Sequence, residues 1–234
     1  MTASSSPPLY TLLHAVLLGP LLWWRVSVSE NLLQDLAHYT AMFLCMFLMK
    51  FVDEMADTGL TLFATTKGDH EIHLTAFLMI SISVGLILTD DFSATFFTGL
   101  TLDSLVGGKL DCIQFQLAGI VSIGLYWYRY SLDSFSYTFT DMVAIAVLGA
   151  LEEHLHDAHE EKWKKIEENE CSTLSKCVHF FHDHRLFSVT TIIPLLFWRD
   201  HYEAVPLMMA QVYGYEFGGY ITYLALQAQR KQPR

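Results

Sequence analysis

Long apolar blocks constrain this chain more than any other feature of its sequence. The run "YTAMFLCMFLM" belongs to one of several stretches that approach the roughly 17 to 25 residues of a transmembrane helix. Together with a hydrophobic content of 52%, these blocks predict an all-α, polytopic integral membrane bundle of about seven to nine transmembrane helices. The predicted helices cover 9–26, 35–52, 72–90, 92–110, 112–130, 139–151 with an extension to about 167, 186–199 and 204–227.

No linker or low-complexity segment divides residues 1–234, so the sequence predicts a single transmembrane domain. A hydrophilic helical or loop excursion at about 152–184 contains much of the positive charge, and the positive-inside rule predicts that it and the C-terminus are cytosolic. The opening residues lack a basic n-region, which predicts that 9–26 is a retained helix rather than a signal peptide. The four cysteines lack CxxC spacing and predict no disulfide framework.

The net charge of −11 argues against nucleic acid as a partner, because phosphate backbones are bound through clustered Lys and Arg. A lipid bilayer is the predicted environment. Ionised carboxylates are costly in that environment, so the positions of the acidic residues carry the functional information.

The first acidic set, "KFVDEMAD", closes an apolar block. Asp53 and Asp57 lie four residues apart on one helical face, with Glu54 beside them. Their charges require a positive partner or water. A divalent cation is one solution, Lys50 on the same side is another, and a solvated helix end is a third.

Two further acidic sets follow. Asp103 and Asp111 flank the turn Gly107-Gly108-Lys109, where bare backbone and a lysine could approach a phosphate while carboxylates hold its metal. The third set, "LEEHLHDAHEE", places acids and histidines in two adjacent helical rows, which a solvated charged helix would also do. Its candidate metal ligands are Glu152, Glu153, His156 and Asp157.

Glu216 in "VYGYEFGGY" lies deep in an apolar segment, with no basic residue near it in sequence. An intramembrane acid of this kind indicates a function and a partner from another helix. Tyr215 and neighbouring tyrosines could hydrogen-bond to it, which would also be a purely structural arrangement. Arg185 in "FFHDHRLF" is a candidate cation for an anionic group.

The motif "DEMAD", the pair Asp103 and Asp111, and the acidic row from Glu152 resemble the aspartate motifs of UbiA-type intramembrane prenyltransferases and related membrane terpene cyclases. The resemblance covers these patches only, and the Asn and third Asp of that family's first motif are absent. It implies an Mg²⁺-dependent lyase or transferase of isoprenoid biosynthesis that ionises a prenyl diphosphate. Mg²⁺ would bind Asp53, Glu54, Asp57, Asp103, Asp111 and the third set. Lys109 and Arg185 would neutralise the diphosphate, and Glu216 or Tyr215 would accept the final proton.

Two other classes of function remain open. The clusters "HLHDAH" and "HFFHDH" are similar to the histidine boxes of di-iron membrane hydroxylases and desaturases, although the spacings differ, and imidazole would suit Fe or Zn. Buried carboxylates also form cation or proton pathways, so a cation- or proton-coupled transporter is the other alternative. The resemblance and the acidic placement favour the prenyl diphosphate hypothesis.

Overall fold

The computed structural model describes residues 31–60, 68–108, 110, 112–132, 134–163 and 186–231. Within these ranges every regular element is helical, which confirms the all-α prediction. The predicted block 9–26 lies outside the described residues. The described residues form seven α-helices and a 3₁₀ turn at Tyr202–Ala204. The helices are α1 (Leu32–Thr58), α2 (Gly68–Thr89), α3 (Asp91–Val106), α4 (Ile113–Tyr130), α5 (Phe139–Trp163), α6 (Leu186–Trp198) and α7 (Val205–Lys231).

Capping residues set the helix boundaries. The Asn31 side chain accepts a hydrogen bond from the Gln34 amide at the start of α1, and Gly59 ends that helix in the left-handed conformation. Asp90 caps α3 through the Ser93 amide at 2.6 Å. A capping box begins α5. The Thr138 amide donates to the Asp141 carboxylate, and the Asp141 amide donates to the Thr138 hydroxyl.

Two of the described helices are long and apolar enough to cross a membrane: α1 and the segment Glu71–Thr89 of α2. In their most apolar windows only 17% and 28% of the residues are buried. The core helix of a water-soluble protein would be mostly buried, so these two helices expose an unusual amount of apolar surface.

The chain divides into two compact units. The first unit contains α1, α2 up to Leu86, and α7; the second runs from Ile87 to Tyr202. In the first unit, the Cys45 thiol donates to the Met79 carbonyl at 3.6 Å, and Ile72 packs against the core of Phe51 and Met55. The later residues of α1 contact the earlier residues of α2, so the two helices are antiparallel.

Glycines bring α1 and α7 together. A Cβ on Gly214 would overlap the Phe43 carbonyl oxygen, and one on Gly218 would lie 3.0 Å from the Phe47 carbonyl oxygen and the Lys50 Cβ. The contacts move toward higher residue numbers on both helices at once, so α1 and α7 are parallel. The sequence "GYEFG" is therefore a GxxxG contact that lets two helix backbones approach closely.

The second unit is built from α3 to α6. Thr98 donates to the Ser122 carbonyl at 3.3 Å, and Thr101 packs against Gly119, so α3 and α4 are antiparallel. Gly99 meets Ile145 and Gly149 meets Asp103, a constant offset of 46 residues, so α3 and α5 are parallel.

Candidate functional site

The acids of α1 have a lysine partner. Lys50 Nζ lies 2.8 Å from Asp53 Oδ2 and 3.1 Å from Glu54 Oε1. Glu54 is buried and Lys50 is partly buried, whereas Asp57 is exposed to solvent. The sequence left a divalent cation, Lys50 or solvent as ways to balance these charges. In the structure, Lys50 is the positive partner of Asp53 and Glu54.

Helix α7 covers this lysine. The Tyr215 ring lies 5.2 Å from Lys50 Nζ, within the range of a cation–π interaction. Gly218 and Gly219 lie against the aliphatic stem of Lys50, so α7 has room for the side chain. Glu216 is half-buried on α7 rather than fully enclosed.

One carboxylate oxygen in this group is unsatisfied. The Glu54 side chain is only 4% exposed, and its Oε2 has no hydrogen-bond partner in the described part of the protein. One lysine therefore faces two carboxylates, of which Asp53 is partly solvated and Glu54 is not. Burial of an incompletely paired carboxylate is costly.

The second unit holds a different acidic group. Asp103 on α3 is buried, and its Oδ2 lies 2.8 Å from the position that a Cβ on Gly149 of α5 would take. Glu152, also buried, follows three residues after Gly149 on α5. Two carboxylates 49 residues apart in sequence thus lie within about one helical turn of each other along parallel helices.

The glycine turn after Asp103 ends α3. The Gly107 amide donates to the Asp103 carbonyl at 2.8 Å, and Gly108 adopts the left-handed conformation with φ of 69°. A helix C-terminus exposes carbonyl oxygens and the negative end of the helix dipole, which favours cations over anions. The amides of Gly107 and Gly108 are both hydrogen-bonded within the turn, to the carbonyls of Asp103 and Leu105.

Several predicted site residues lie outside the described residues: Lys109, Asp111 and Arg185, together with the side chains of Glu153, His156 and Asp157. Most of the two histidine clusters does so as well. Among the side chains that are described, no group of three or more His, Cys, Asp or Glu could hold a metal ion. The Mg²⁺ prediction, and the Fe or Zn alternative, remain predictions.

Two arginine–aspartate pairs were not predicted from sequence. Arg129 at the end of α4 binds Asp91 at the start of α3, and its Nη1 donates to the Leu88 carbonyl at 3.2 Å. Arg199 after α6 binds Asp141 at the start of α5, with Nε to Oδ1 at 2.8 Å. These hydrogen bonds raise the pKa of the Arg199 guanidinium, so it stays charged. The sequence feature that could have predicted these two pairs is the presence of a charged residue at an end of each apolar block.

Comparisons of the chain with protein-family models, with curated proteins and with solved structures found no match. The resemblance to UbiA-type prenyltransferases therefore stays a prediction, and the site must be interpreted from its own geometry.

Proposed function

We propose that this protein is a multi-pass membrane enzyme that acts on a prenyl diphosphate with Mg²⁺, as a terpene cyclase or prenyltransferase. The observation that carries the proposal is the position of Asp103 and Glu152. These two buried carboxylates come from different helices and lie near the carbonyl end of α3.

Surface composition supports the multi-pass membrane topology. Beyond α1 and α2, the outward face of α4 exposes Ile113, Leu117 and Ile120, a spacing that forms one continuous apolar stripe. Helix directions place the starts of α3 and α5 and the ends of α4 and α6 at one end of the second unit. Exposed aromatic residues, which are enriched at membrane–water interfaces, collect at this end: Trp127, Tyr128, Tyr130, Phe139, Trp198 and Tyr202.

The residues of the second unit fit a hard divalent cation. Mg²⁺ prefers oxygen ligands and is usually held by one or two carboxylates together with substrate phosphates. Asp103 and Glu152 would supply the carboxylates, and the sequence offers Asp111, Glu153 and Asp157 as further candidates. When bound, the metal would offset the negative charge of the departing diphosphate.

The chain's own residues would provide the rest of the site. Gly149 leaves the space that the Asp103 carboxylate occupies, so the acid can lie between two helices instead of in solvent. Lys109 and Arg185 are the candidate cations for the diphosphate. The apolar walls of the helices would exclude water from a carbocation.

The Lys50 group favours one competing function, a cation- or proton-coupled transporter. A partly buried lysine and a buried glutamate with an unsatisfied oxygen lie within α1, which is long enough to span a bilayer. Ionisable groups in such a position often mark proton or ion pathways.

One experiment separates these functions. The full chain in proteoliposomes would be incubated with prenyl diphosphates of several lengths, with Mg²⁺ or with EDTA, while pyrophosphate, organic products and cation or proton flux are measured. We expect Mg²⁺-dependent pyrophosphate release that is lost in Asp103→Asn and Glu152→Gln. Asp200→Asn is a matched control, because this exposed acid caps α6 with φ of 59°, which Asn tolerates. Ion flux without pyrophosphate release would overturn the proposal.

A further inference from the structure

The Lys50 group of α1 has an unbalanced negative charge. Lys50 Nζ lies 2.8 Å from Asp53 Oδ2 and 3.1 Å from Glu54 Oε1, so one ammonium group faces two carboxylates. The Asp53 side chain is 34% exposed, and water can solvate part of its charge. The Glu54 side chain is only 4% exposed, so its charge is balanced by the lysine that it shares with Asp53.

A second observation points to what Glu54 would bind. In the described part of the protein, Glu54 Oε2 has no hydrogen-bond partner, although Oε1 lies next to Lys50 Nζ. Lys50 already occupies the position between the two acids, so a metal ion there would be repelled by the ammonium group. A proton can bond to Oε2 without displacing Lys50.

The helices packed against α1 contribute further acidic groups. On α7, the Tyr215 ring lies 5.2 Å from Lys50 Nζ, and the half-buried Glu216 follows it. On α2, Glu71 is buried near the start of the helix, which is antiparallel to α1. Negative charge near a carboxylate favours its protonated form. Other titratable side chains at this end of the three helices are the exposed Asp57, His73 and Tyr220, the half-buried Tyr223, and Asp69, His70, Arg230 and Lys231, whose side chains lie outside the described residues.

We propose that Glu54 is a proton-binding site of the first unit. As the pH falls, a proton from water bonds to Glu54 Oε2, and the net charge of the Lys50 group changes from −1 to zero. Lys50 stays charged and is then paired with Asp53 alone. An ionised carboxylate is costly within a bilayer, so proton binding at this position of α1 removes an unfavourable charge. The site shares no residue with Asp103 and Glu152, so it does not depend on the proposed enzyme.

Infrared difference spectroscopy of the full chain in proteoliposomes tests this proposal. A buried, protonated carboxyl with few hydrogen bonds has a C=O stretching band at higher frequency than a solvated one. Lowering the pH should produce this band in the wild type, and Glu54→Gln should remove it. Glu54→Asp should shift the band without removing it, which tests the assignment even if Glu54→Gln does not fold. The exposed Asp57 is the matched control, and Asp57→Asn should leave the band unchanged.

The two partners of Glu54 should move the midpoint of the band in opposite directions. Lys50→Met removes the cation that favours the ionised form, so the midpoint should rise by about 1–3 pH units. Asp53→Asn leaves Lys50 to Glu54 alone, so the midpoint should fall. A band that survives Glu54→Gln, no such band at any pH, or a midpoint that neither variant changes would overturn the proposal. None of these results bears on Mg²⁺-dependent pyrophosphate release, which tests the enzyme separately.

Discussion

The acids of α1 and those of α3 and α5 look alike in sequence but lie in different electrostatic settings. Asp53 and Glu54 bind Lys50, one helical turn away on their own helix. Asp103 lies against another helix, near the negative end of α3, and the last turn of α3 contains no basic residue. The acids of α1 therefore have their positive partner within one helix, whereas Asp103 lies between two helices, where the proposed metal site would be.

Glycine also has two uses in these regions. In the first unit Gly214 and Gly218 bring backbones together, whereas in the second unit Gly149 makes room for a carboxylate. The first use concerns stability and the second concerns the geometry of the site. Substitutions at these glycines and at Lys50 therefore test whether the two acidic groups differ in this way.

The largest effect is expected for Lys50→Met. This change leaves Glu54 buried without its cation, and breaking a buried pair from one side costs about 3–5 kcal/mol. Chemical unfolding in detergent would measure the loss, and the double variant Lys50→Met/Glu54→Gln should recover most of it. Unchanged stability in Lys50→Met would show that the lysine does not neutralise the α1 acids.

Gly214→Ala should follow, with a loss of about 3 kcal/mol, the upper end of overpacking costs, because the added Cβ meets a backbone carbonyl that cannot move aside. Gly85→Ala on α2 is the matched control. Its Cβ would enter open space, so alanine should stabilise the helix by roughly 0.5–1 kcal/mol. Equal effects at the two positions would contradict the close contact of α1 and α7.

Gly149→Ala should have the smallest effect on stability, about 1 kcal/mol, since the contacted atoms belong to the Asp103 side chain, which can rotate away. The same rotation should displace a proposed metal ligand and weaken the binding of Mn²⁺, a spectroscopic substitute for Mg²⁺. Gly124→Ala on α4, with no atom near its Cβ, should leave Mn²⁺ binding intact. A Gly149→Ala protein with normal Mn²⁺ affinity would separate this glycine from the site.

The helices were largely predictable because block length and capping are local properties. The predicted 112–130 and 204–227 agree closely with Ile113–Tyr130 and Val205–Lys231. Lys50 could be proposed as a partner for the α1 acids because it lies on the same helix face. The contact of Asp103 with Gly149 could not be predicted, because it depends on the register of two helices that are distant in sequence.

The most direct test of the account is the Mn²⁺ affinity of the purified full chain, compared between Asp103→Asn and Asp53→Asn. Loss of a ligand should weaken binding by roughly tenfold or more, since even residues that only orient metal ligands change affinity by about 10- to 100-fold. We expect that loss in Asp103→Asn and wild-type affinity in Asp53→Asn. Normal affinity in Asp103→Asn with weakened binding in Asp53→Asn would contradict it.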